Sequence, residues 1–301
     1  MAVQELSSQP SMRTLYPKAV AGIGMSALRK LPLVGGGGER ELPSEELALN
    51  GVEIDRDHLA AYDKVCEFRL RDELPPTYPH MVSFPLAMKL MTDSSFPFGV
   101  VGLVHIENRI EQLAPIRADE QLDVRVHAAN LGDHDRGTQF EMHAAVEVGG
   151  EPRWRSVSTY LHREGDSSDG KKKREEETPP QPNAVWKIPG DIGRRYAGVS
   201  GDRNPIHMHP IAARLFGMPR MIAHGMWLKA RCLAALDGIL PEGYTVDVRF
   251  KLPVFIPGRV SFASWPEGSD GGRGFSLRDG KNEKPHLEGF VTPVDSVSRV
   301  R

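Results

Sequence analysis

The stretch YAGVSGDRNPIHMHPIAARLFGMPRMIAHGM, Tyr196–Met226, decides how the rest of the chain must be arranged. An acid (Asp202), an amide (Asn204) and an imidazole (His207) crowd one short segment, held by Gly201 and Pro205, two residue types that set turns. His224-Gly225 then opens an apolar run whose pattern predicts a long helix over Met221–Leu236. A polar loop is thereby delivered to the mouth of a buried helix.

Outward from this stretch, the second half begins with an extended Val185–Ile188 and a short helix over Asp191–Val199. It continues with strand patterns at Thr245–Leu252, Arg259–Trp265, Gly274–Leu277 and His286–Val294. The first half has the same order. An extended Leu49–Ile54 leads into a helix capped by Asp55 or Asp57, carrying Leu59, Tyr62, Val65 and Cys66 at helical spacing. An apolar helix over Met81–Met91 follows, then strands at Leu103–Gln112, Gln121–Asn130, Thr138–Val148 and Arg153–His162, with Gly149-Gly150 marking a hairpin. Setting Tyr62 against Tyr196 brings Ile54 onto Ile188, and setting His80 against His224 aligns the two apolar helices. One fold is used twice. Each unit wraps antiparallel strands around one long helix, an α+β arrangement.

With 301 residues the chain has room for two such units. The expected organisation is an N-terminal extension over 1–46, a first unit over 47–163, a charged linker over 164–183 and a second unit over 184–301. The linker, EGDSSDGKKKREEETPPQPN, has almost no apolar residue, so a solvated connection is its first meaning and an interaction tail its second. At 40% hydrophobic, 26% charged and a net charge of -2, the composition is that of a soluble globular protein with no nucleic-acid partner. Cys66 and Cys232 lack metal-ligand spacing and suit a reduced, cytoplasmic setting as buried hydrophobes. Leu15–Val34 is too interrupted by Lys18, Arg29 and Lys30 for an integral membrane segment; it reads as a short helix on the body of the protein, or as a peripheral membrane contact. Gly35–Gly38 reads as a linker, since no Lys-Ser or Lys-Thr pair follows to make a phosphate cradle.

Asp202 and His207 are near enough in sequence for one loop to aim both at a single small molecule. An imidazole and a carboxylate sharing a water suit general acid–base catalysis, worth about 10² to 10⁴ in rate. A cap followed by a turn would explain Asp202 and Asn204 equally well. It would not explain why His207, His209 and His224 gather in the same region, or why a glycine heads the buried helix, where its amide can face a ligand oxygen. Zinc is a weaker reading, because no HExxH or CxxC frame is present.

The run YAGVSGDRNPIH, with Ala212-Ala213 and the IAHGM of Ile222–Met226, resembles the hydratase motif of the MaoC-like (R)-specific enoyl-CoA hydratases and 3-hydroxyacyl-thioester dehydratases. The internal repeat is similar to the double hot-dog members of that family. The resemblance implies a catalytic pair Asp202 and His207, an orienting Asn204, and a Gly225 amide on the thioester carbonyl. It further implies a substrate carried on coenzyme A or an acyl carrier protein, and no metal or organic cofactor. A homodimer of the double unit is compatible with it. Phe68 and Glu73 stand where the pair would be in the first half, so one active site per chain is expected. A thioesterase of the same fold and a non-catalytic acyl-thioester binding protein are the rival readings. Pro85 should kink the first apolar helix or delay its start, leaving room for an alkyl tail beside Phe84, Leu86, Met88 and Met91; alternatively it sits in the helix's first turn.

Overall fold

A computed structural model describes residues 1–19, 40–164 and 180–294. Most of Leu15–Val34, all of Gly35–Gly38 and most of the charged linker lie outside the described residues; residues 12–19 are helical. No helix among the described residues is long and apolar enough to cross a membrane.

The strands are β1 (Ala2–Glu5), β2 (Glu45–Val52), β3 (Leu103–Gln112), β4 (Leu122–His134), β5 (Gly137–Val148), β6 (Glu151–Arg163), β7 (Ala184–Ile188), β8 (Tyr244–Phe250), β9 (Gly258–Glu267), β10 (Gly272–Asp279) and β11 (Pro285–Pro293). They form one sheet in the order β1-β2-β4-β5-β6-β3-β8-β11-β10-β9-β7. The sets β2-β4-β5-β6-β3 and β7-β9-β10-β11-β8 mirror each other across the antiparallel pairing of β3 with β8, which matches Asn108 with Val248 and Ile110 with Val246. Alternation builds the core face: along β4, Leu122, Val124, Val126 and Ala128 are buried while their neighbours are not.

Helices α1 (Arg56–Cys66) and α2 (Tyr78–Met91) belong to the first half. Helices α3 (Ile192–Ser200), α4 (Pro205–Met208), α5 (Pro210–Leu215) and α6 (Gly225–Ala235) belong to the second. Asp55 is the cap of α1, its carboxylate accepting the Asp57 and His58 amides at 2.9 and 3.2 Å. The equivalent helices α1 and α3 meet each other, with Tyr62 and Tyr196 ring centroids 6.3 Å apart. Both end in a left-handed residue, Glu67 (φ 64) and Gly201 (φ 74). Lys229 of α6 is wholly buried, and its ammonium donates to the Asn108 carbonyl (3.0 Å), Asn108 Oδ1 (2.6 Å) and the Val246 carbonyl (3.1 Å), tying α6 to the β3–β8 seam.

Several boundaries differ from those read in the sequence, β4 for instance reaching His134 and β10 running over Gly272–Asp279, and three of the differences have a visible cause. The strand anticipated at Leu49–Ile54 is β2, Glu45–Val52, placed by its pairing with β4. The helix anticipated from Met221 begins at Gly225, because the preceding amides are used elsewhere: Ala223 N–H donates to the Val254 carbonyl (2.9 Å), and Met221 O accepts from Ile256 N–H (2.9 Å). Helix α2 neither starts late nor has Pro85 in its first turn. It begins at Tyr78, with Pro79 in the first-turn position that tolerates proline, and runs past Pro85 to Met91. Val82 before the lost amide and Leu86 and Met88 after it are all buried, so packing outweighs the missing hydrogen bond.

Candidate active site

Asp202 follows the Gly201 cap of α3, and His207 lies one short turn further on in α4. Gly193 permits this proximity: a Cβ there would lie 1.9 Å from the His207 carbonyl oxygen, so any larger residue would push α4 off α3. Asn204 caps α4, its Oδ1 accepting the Ile206 amide at 3.4 Å, and so shapes the loop through the backbone rather than by a side-chain hydrogen bond to Asp202 or His207.

The Asp202 amide donates to Ser200 Oγ (3.1 Å), and Asp202 Oδ1 accepts the Asn204 amide at 3.1 Å. The same oxygen accepts the hydroxyl of Tyr16 at 2.6 Å. His207 Nδ1 lies 2.8 Å from the Ile222 carbonyl and must carry the proton to donate there, which leaves Nε2 as an unprotonated acceptor. His224, immediately before α6, donates from Nε2 to the Asp202 carbonyl at 3.1 Å. Its ring stacks on that of His207 at 3.7 Å and stands 3.9 Å from Asp202 Oδ2. One atom each of Asp202, His207 and His224 lie within 4.8 Å of one another. Two hydrogen bonds of about 2.8 Å meeting at a water's tetrahedral angle span roughly 4.6 Å, so the three groups are close enough to share one water.

Burial pushes the Asp202 carboxyl up, but the two imidazoles, the Tyr16 hydroxyl and the Asn204 amide outweigh it and hold the group below its ordinary value. Burial lowers His207 against the pull of Asp202, and burial together with His207 takes His224 down to about 3. Both imidazoles are therefore neutral near pH 7. At that pH the carboxylate is held by neutral donors, Tyr16 and Asn204, rather than by a cation.

These groups open on a cleft of about 280 Å³ lined by both halves. Gly225 lies on its wall with its first-turn amide unclaimed by the helix. Phe84, Met88 and Met91 contribute the apolar side, as the sequence suggested; Leu86 does not, being turned into the core with no exposure. Phe68 and Glu73 lie outside the lining, and Glu73 is exposed beside Arg117. His80, His105 and Tyr160 complete the far wall, with His105 stacked on Tyr160 at 4.7 Å. Burial lowers His80 to about 4 and His105 to about 3, so this wall is polar and uncharged. Sequence reasoning missed that wall and missed Tyr16, whose segment carries no motif; it placed His224 in the region without giving it a role.

A MaoC-like domain matches residues 171–288. The chain is 38% identical over 254 residues to 3-hydroxyacyl-thioester dehydratase X of Mycobacterium tuberculosis, covering 83% of this chain and 90% of that one. The crystal structure of that dehydratase superposes with a TM-score of 0.74, covering 83% of this chain and all of the other. Two more distant structures share the fold. A MaoC-like dehydratase from Phytophthora capsici has a TM-score of 0.68 at 21% identity, over 87% of this chain and 99% of that one. A Mycobacterium tuberculosis protein described as a double hot-dog fold has a TM-score of 0.53 at 11% identity, over 84% and 96%.

Proposed function

Because the chain belongs to the MaoC-like dehydratase family, we propose that it reversibly hydrates 2-enoyl thioesters and dehydrates (3R)-hydroxyacyl thioesters in fatty-acid metabolism, with Asp202 and His207 as the catalytic pair. The observation that carries the assignment is the gathering of the Asp202 carboxylate with the His207 and His224 imidazoles, one atom of each within 4.8 Å of the others, on the wall of an apolar cleft. In the dehydration direction, the lone pair of His207 Nε2 takes the C2 proton. The imidazolium so formed is stabilised by the Asp202 carboxylate, which also accepts a hydrogen bond from the C3 hydroxyl. As the C3–O bond breaks, the proton passes from His207 to the departing oxygen and water leaves. The syn relation of the two substituents lets one imidazole serve both. Hydration is the reverse.

The Gly225 amide, at the N-terminal end of α6, supports the thioester oxygen as enolate charge develops, a donor of a kind worth about 10² to 10³ in rate. Asn204 acts indirectly, by holding the loop. The thioester itself acidifies C2, so the chemistry asks for neither metal nor organic cofactor. The acyl group is carried on coenzyme A or an acyl carrier protein, in a reducing, cytoplasmic compartment that suits two buried free thiols.

The test is to incubate the protein with crotonyl and dodecenoyl thioesters, with and without EDTA, following enoyl absorbance and free thiol together. Loss of absorbance without thiol release, unchanged by EDTA, is expected. Thiol release would make the protein a thioesterase, binding without turnover would make it a carrier, and loss of activity with EDTA would turn the Asp202–His207–His224 cluster into a metal site.

A further inference from the structure

We propose that Tyr16, delivered from outside both hot-dog units, is a positioning residue for this reaction: it fixes the catalytic carboxylate with one oxygen turned to the substrate, so the N-terminal segment is part of the active site. The inference rests on the reading of Asp202 given above.

The geometry is that of a bridge. The Tyr16 hydroxyl donates to Asp202 Oδ1 at 2.6 Å and accepts the Arg203 amide at 2.6 Å, so both of its hydrogen-bonding capacities are spent on one loop and its orientation is fixed. Asp202 Oδ1 accepts the Asn204 amide as well, which fills it. Only Oδ2 remains to hold the water or the C3 hydroxyl. A carboxylate with one oxygen clamped twice cannot rotate to offer the other face.

The segment that brings Tyr16 is firmly seated. Leu15 and Ala19 on either side are buried in the core at 6% and 4% exposure. Upstream, β1 pairs in parallel with β2, and Gln9 Nε2 donates to the Val82 carbonyl at 3.1 Å. Met12 lies against Gly201, the residue just before the carboxylate.

Arg163 and Lys251 line the same cleft, Lys251 paired with Glu288 at 3.0 Å, but among the described residues neither is one of the groups that set the Asp202 carboxyl. His207 and His224 are neutral near pH 7, and so are His80 of α2 and His105 of β3 across the cleft. Tyr160 of β6 and Tyr196 of α3 are kept protonated by burial, as is Tyr16 itself by burial and then by Asp202. The Arg203 side chain is turned to solvent. The carboxyl is thus balanced between burial, which raises it, and the two imidazoles together with the neutral donors Tyr16 and Asn204, which lower it; of the two donors Tyr16 is the nearer.

The experiment compares Tyr16→Phe and Tyr16→Leu with wild type in hydration of a crotonyl thioester from about pH 3 to 9, so that the limb set by a carboxyl held below its ordinary value falls inside the range, and in thermal melting. Tyr16→Phe should lower kcat about tenfold with KM changed less than twofold, and should move the acid limb of kcat/KM upward by about one pH unit. Tyr16→Leu should move the limb in the same direction, whatever its effect on Tm. An NMR titration of aspartate-¹³Cγ-labelled protein, assigned with Asp202→Asn, reads the Asp202 carboxyl without turnover and should show the same upward move. An unmoved carboxyl with unmoved kcat would overturn the proposal, as would a faster Tyr16→Phe, which would mean that the phenol obstructs the water's place. An inactive wild type whose Asp202 still responds to Tyr16 would count against the reaction and not against the bridge.

Discussion

At the scale of single residues, the site depends on one imidazole that carries the proton from C2 to the departing oxygen and on one carboxylate that stabilises it while it does so. Asp202→Asn keeps the side chain's shape but removes the charge that would stabilise imidazolium, and His207→Ala removes the base. Each should reduce turnover about 10³-fold or more with the fold intact. The double variant should be no worse than the poorer single one, since both act on the same proton transfer; multiplicative losses in steady-state kinetics would separate their roles. Asp202, Asn204 and His207 could be read from sequence because the chemistry and the turn that presents it are contiguous. Tyr16 could not, because its contact spans 186 positions and arises only when the N-terminal segment docks. His224 was half legible: its place before the helix was clear, but its stacking on His207 depends on how α4 and α6 are set against each other.

At the scale of the element, α6 is held by a lysine whose burial should count against it. Burial pushes Lys229 well below its ordinary value, Asp247 opposes this, and Arg109 adds to it. No carboxylate bonds it; three neutral oxygens take its three protons. Lys229→Met removes the charge but strands those oxygens in the core, and unsatisfied buried acceptors cost about 1–3 kcal/mol each, offset in part by the relieved desolvation. A net loss of roughly 2–4 kcal/mol is expected, read as a lower Tm and denaturation midpoint. A more stable Lys229→Met would show that desolvation is the larger quantity. The strands and the repeat were legible because alternation and turn residues are local signals. The starts of α2 and α6 were not: the first depends on Pro79 and on packing either side of Pro85, the second on amides already committed to residues 254–256.

At the scale of the whole molecule, one cleft draws its polar loop from the second half and its apolar wall from Phe84, Met88 and Met91 of the first. We therefore expect chains longer than four carbons to be accepted, each buried methylene pair helping by up to about 1.6 kcal/mol. A kcat/KM profile from four to sixteen carbons should rise before it falls; a monotonic decline from four would remove the first half from substrate binding. The joint between the halves is the pairing of β3 with β8 inside a single chain. Two separate copies meeting along such a seam would part on dilution, and every change in one would be repeated in the other. Here the partner's effective concentration is set by the connecting peptide, so the site should survive dilution that would dissolve a dimer. The two halves are also free to diverge, one toward chemistry and the other toward holding the tail.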